Sequence, residues 1–170
     1  MKMFRRITVW SLCFIFLWSL QFIFNPVTVF GVGPEYVLCG VAALAMVENG
    51  KFAAIYGLVF GLMCDFCGSF FFGEKAILFM FAGWVIGNLC LKDVRINFVS
   101  ALLFTAVPLT MGEMFSFICY AFREKIDFSF LLYIYLPKLA LTVPVALLVW
   151  FGFRGLDKLM LKKEGVSGSW

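Results

Sequence analysis

The chain has 170 residues, 64% of them hydrophobic and 14% charged, with a mean hydropathy of +1.00. A soluble domain carries about a quarter charged residues, so this composition excludes one and points to an integral membrane protein. The net charge of +4 is scattered over several short connections, which leaves no footprint for nucleic acid and no segment long enough for a folded domain outside the bilayer.

Lys2, Arg5 and Arg6 precede an apolar run over 7–24. It reads as an uncleaved first helix, because Asn25, Pro26, Val27 and Thr28 lack the small-residue pattern of a cleavage site. Pro26, Gly31, Gly33 and Pro34 then interrupt the chain, and the second run, 34–47, is short for a span. The third run, 52–66, leads into Gly68, Ser69, three phenylalanines and Gly73, an apolar turn that reads as partly re-entrant and covered by protein. The fourth run, 76–91, carries Gly83 and Gly87. A charged turn from Lys92 to Arg95 precedes the fifth, 96–122, which holds Pro108, Gly112 and Glu113. The sixth, 128–153, holds Pro137, Lys138 and Pro144. The expected fold is all-α, a single polytopic membrane domain of six transmembrane helices with a short second span and a glycine-rich turn after the third.

Basic residues set the orientation of such a chain. With the N-terminus inside, Lys2, Arg5, Arg6, Lys51, Lys92, Arg95, Arg154, Lys158, Lys162 and Lys163 gather on the cytoplasmic side, ten of the 14 basic residues. Lys75, Arg123 and Lys125 fall outside. Both termini are therefore expected in the cytoplasm.

Ala53, Gly57, Gly61 and Asp65 recur every four residues and stack on one helix face. Close approach at small residues is a main source of helix association in lipid, so Gly57, Gly61, Asp65, Gly68, Ser69 and Gly73 form a candidate docking surface for a membrane partner. Asp65 either ends its span at headgroup level or makes a buried contact. Glu113 and Lys138 sit in consecutive spans at depths that let them meet, a candidate intramembrane charge pair; the alternative for Lys138 is to snorkel to the outer headgroups.

No catalytic set can be assembled. Histidine is absent, and neither a glycine-rich phosphate loop nor a paired-carboxylate motif occurs, so no enzyme, cofactor or metal site is expected. Cys64 and Cys67 make one CxxC. All six cysteines lie in or beside apolar runs and read as small hydrophobes, with a redox role for this pair as the alternative.

Pro34 and Glu35 opening the second helix, Gly57, Gly61 and Asp65 at four-residue spacing, then Gly68, Ser69 and Gly73, together resemble the bacterial rod shape-determining MreD family. The motif covers about half the chain, and Pro137 and Thr142 in the last span add to it. Two departures stand out: the family's usual aspartate after the proline is Glu35, and Gly68 and Ser69 sit one residue nearer Asp65. The resemblance implies a non-enzymatic subunit of the cell-elongation complex in the bacterial inner membrane. Such a subunit binds an MreC-like single-span protein and links the MreB cytoskeleton to a RodA-type glycosyltransferase and a class B penicillin-binding protein. Two competing classes remain. One is the substrate-binding subunit of an energy-coupling-factor vitamin transporter, against which the bulky first helix counts. The other is a small proton-coupled carrier using Asp65, Glu113 and Lys138.

Overall fold

The computed structural model describes residues 2–24, 33–68, 72–90, 98–123 and 128–163. Six α-helices follow one another: α1 (Lys2–Ser19), continued by a π-helical turn (Leu20–Phe24), α2 (Tyr36–Val47), α3 (Gly50–Gly68), α4 (Glu74–Cys90), α5 (Phe98–Arg123) and α6 (Phe128–Lys163). No strand occurs among the described residues. Among the described residues, three helices are long and apolar enough to cross a membrane, over Gly50–Cys67, Phe98–Ile118 and Tyr135–Leu161.

α2 is the core of the bundle. Its 12 residues span about 18 Å, well short of a hydrocarbon layer of about 30 Å. It is apolar on every side, and Tyr36 to Met46 are all buried, the mark of a helix enclosed by others. α1, α3, α4, α5 and α6 all pack on it. Small residues along α2 (Gly40, Ala42, Ala43, Ala45) let the surrounding helices come close.

α3 and α4 are joined backbone to backbone. A Cβ on Gly57 would lie 2.4 Å from the Phe79 carbonyl oxygen, and one on Gly61 would lie 2.5 Å from Ala76 Cα. From the other side, a Cβ on Gly87 would meet Gly50 Cα at 2.2 Å, and one on Gly83 the Ala53 carbonyl at 2.9 Å. Only glycine fits at such distances. The stripe that the sequence assigned to a membrane partner is thus occupied by α4 of the same chain, because Gly83 and Gly87 supply the matching small face. Ser69 of the expected re-entrant turn lies outside the described residues, as do Lys92, Arg95 and Lys125.

α6 runs beyond the predicted end at residue 153. Phe153, Asp157 and Met160 are buried at helical spacing, so this continuation has an inward face of its own. It rests on α1, where Phe153 stacks on Trp10 with ring centroids 4.9 Å apart and Arg6 pairs with Asp157 at 2.8 Å.

Candidate functional site

Glu35 stands at the N-cap of α2, yet its carboxylate makes no cap hydrogen bond to its own helix. Side chains from elsewhere take over that task. Thr142 Oγ1 on α6 accepts from the Glu35 N–H at 3.3 Å, and Gln21 Oε1, in the π-helical turn, accepts from the Val37 N–H at 3.1 Å. With the helix start satisfied in this way, the carboxylate is free to turn toward cations.

Two lysines reach it. Lys138 Nζ lies 2.8 Å from Glu35 Oε1 and 2.5 Å from Glu113 Oε1, while Lys75 Nζ lies 3.5 Å from Glu35 Oε1. Gln21 Nε2 donates to the other oxygen, Glu35 Oε2, at 2.9 Å. Thr142 Oγ1 in turn donates to the Lys138 carbonyl at 2.6 Å, fixing the backbone from which the lysine extends. The cluster draws on the π-helical turn, α2, α4, α5 and α6. Its two carboxylates and two ammonium groups balance in charge, which is what a low-dielectric site demands: an ion buried without its partner costs several kcal/mol.

Asp65 connects the glycine stripe to this cluster. Near the end of α3, it is 5% exposed, and its carboxylate accepts three backbone hydrogen bonds from the start of α4: Gly73 N–H (3.0 Å), Lys75 N–H (3.2 Å) and Ala76 N–H (3.1 Å). The first N–H groups of a helix have no partner within it and carry partial positive charge, so a carboxylate from a neighbouring helix both satisfies them and is stabilised by them. Gly73 makes the geometry possible with φ +95°, a conformation that a side chain disfavours. Asp65 therefore sets the start of α4, and so places Lys75 within reach of Glu35. The sequence left Asp65 between a headgroup position and a buried contact; the structure buries it against α4.

A cavity of about 30 Å³ adjoins the cluster, lined among others by Glu35, Glu74, Lys75, Glu113 and Ser116. That is room for a water molecule, whereas small-molecule pockets measure about 300 Å³ or more. Ser116 Oγ donates to Glu74 across it, tying α5 to α4. At the opposite end of α2 a second acid serves in the same way: Glu48 accepts from Trp10 Nε1 at 3.0 Å and lies 3.3 Å from Arg6 Nε. Arg6 also holds Asp157, so α1, α2 and α6 are clasped together there.

Lys138 and Glu113, singled out in the sequence, are in contact, and Asp65 reaches the same cluster through Lys75. Reasoning from the sequence missed Glu35, Gln21 and Lys75 as members. Gln21, an amide near the end of an otherwise apolar run, and Glu35, an acid directly after Pro34, were the available signals. Lys75, expected outside after the Gly68 to Gly73 turn, already stands in the first turn of α4. No family model, curated protein or solved structure matches the chain.

Proposed function

We propose that this protein is a non-enzymatic membrane subunit of the MreD type, acting by assembly within the bacterial cell-elongation complex. In this reading α1 to α6 each cross the inner membrane and both termini lie in the cytoplasm. α2 crosses as a short, fully enclosed span, which at about 18 Å requires the bilayer to thin locally around it. The observation that carries the reading is that five of the residues behind the resemblance act as one unit. Gly57 and Gly61 seat α4, Gly73 and Asp65 fix where α4 begins, and Glu35 receives the Lys75 so placed. These residues build and lock a scaffold, and the cavity beside them is sized for water. An MreC-like single-span protein is the partner in this account, with a RodA-type glycosyltransferase and a class B penicillin-binding protein as further members of the complex. Because α4 occupies the Gly57–Gly61 stripe, a partner span meets the chain on another face. Expression in a rod-shaped bacterium depleted of its own MreD-like protein tests the proposal: rods are expected to return. Persistently rounded cells that contain the folded chain in their membranes, or vitamin uptake that depends on Asp65, would overturn it.

A further inference from the structure

We infer that the exposed face of α6 around Arg154 and Lys158 is a binding site for the phosphate headgroup of an anionic phospholipid. The inference rests on α6 crossing the bilayer and is independent of the assembly reading.

Depth comes first. The sixth apolar run, 128–153, ends directly before Arg154 and is long enough to cross a hydrocarbon layer of about 30 Å. Arg154 therefore emerges where the phosphates begin, with Lys158 one turn further out on the same face. Both side chains are exposed.

The charges are also sorted. Asp157, the acid between the two, is buried and turned to Arg6 at 2.8 Å, so it does not neutralise them. Among the described residues neither Arg154 nor Lys158 has a carboxylate partner. The Arg154 guanidinium lies 5.3 Å from the centroid of the Trp150 ring, a stacking contact that holds the planar group in place while leaving its N–H edge free for phosphate oxygens.

The helix surface beneath has room for a lipid tail. Nothing lies within 4 Å of a Cβ on Gly152, so the helix surface on the membrane side of Arg154 is open beside the exposed side chain of Phe151. An acyl chain lying along Phe151 and Gly152 keeps its headgroup at Arg154 and Lys158. A basic pair at the phosphate level, an orienting aromatic ring and an open apolar surface on the membrane side together match a lipid with a negatively charged headgroup.

The test presents the purified full chain, in neutral detergent, with phosphatidylglycerol or with phosphatidylcholine of the same acyl chains, and counts bound lipid by native mass spectrometry. Phosphatidylglycerol is expected to be retained in preference. Arg154→Gln and Lys158→Gln should each weaken its retention about fivefold and leave phosphatidylcholine unchanged. Equal retention of the two lipids by wild type overturns the inference, as does a folded double variant that holds phosphatidylglycerol like wild type. If the double variant does not fold, Lys158→Gln alone decides, since its side chain is exposed and, among the described residues, has no carboxylate partner: undiminished retention of phosphatidylglycerol overturns the site.

Discussion

Lys138, within α6, lies 2.8 Å from Glu35 at the start of α2 and 2.5 Å from Glu113 on α5, so one ammonium group serves two carboxylates. Loss of the lysine leaves the buried Glu35 and the half-buried Glu113 with, among the described residues, Lys75 alone nearby, at 3.5 Å from Glu35. Loss of Glu113 leaves Lys138 still paired with Glu35. Lys138→Met is therefore predicted to destabilise the protein by roughly 3 to 5 kcal/mol, and Glu113→Gln by markedly less. Thermal unfolding in detergent ranks the two variants, and the double variant should lose less than the sum of the single losses, because removal of Glu113 relieves one of the orphaned charges. Strictly additive losses, or a larger effect from Glu113→Gln, would show that the contact is not energetically coupled.

Asp65 bears on stability through the three N–H groups it accepts from Gly73, Lys75 and Ala76. Asp65→Ala strands these donors and is expected to cost about 3 kcal/mol, while Asp65→Asn, which keeps one acceptor oxygen, should cost about half as much. Hydrogen exchange at the start of α4 reads the effect locally. Unchanged protection of the Lys75 and Ala76 amides in Asp65→Ala would refute the capping role.

Two kinds of glycine in this chain should answer oppositely to the same substitution. Gly61→Ala brings a methyl group to 2.5 Å from Ala76 Cα, forcing α3 and α4 apart, and should destabilise by on the order of 2 to 3 kcal/mol. Gly152→Ala, in open space on α6, should be neutral or stabilise by up to about 1 kcal/mol, since alanine favours the helix. Equal responses at the two sites would mean that the α3–α4 contact is looser than described.

The sequence showed that Gly57 and Gly61 invite a close neighbour but not whose helix it is. Four-residue spacing of small side chains reports the allowed distance and nothing about chain ownership, and only the matching Gly83 and Gly87 on α4 hinted at an internal partner. Six helical runs were legible because apolar stretches separated by charges and prolines leave little choice. The end of α6 was not, since the burial of Phe153, Asp157 and Met160 depends on Trp10 and Arg6 at the far end of the chain. Glu113 and Lys138 could be paired from depth along consecutive helices. Glu35 and Gln21 escaped that logic because their meeting depends on where the chain returns after 25–32.

Orientation is open to a separate check. Reporters fused after Lys51 and Trp170 are expected to read cytoplasm, and one near Lys75 the exterior, following the bias of basic residues to one side. A C-terminal reporter on the exterior would contradict six crossings.

Co-purification tests most directly the proposal that the chain works by holding another membrane protein. The measurement is recovery of the MreC-like single-span protein of the same cell on the tagged full chain in mild detergent, with Gly152→Ala as a folded control and Lys138→Met as a variant whose scaffold is broken. Stable recovery with wild type and control, lost with Lys138→Met, is the predicted result. Folded wild-type chain that retains none of the MreC-like protein would contradict the account.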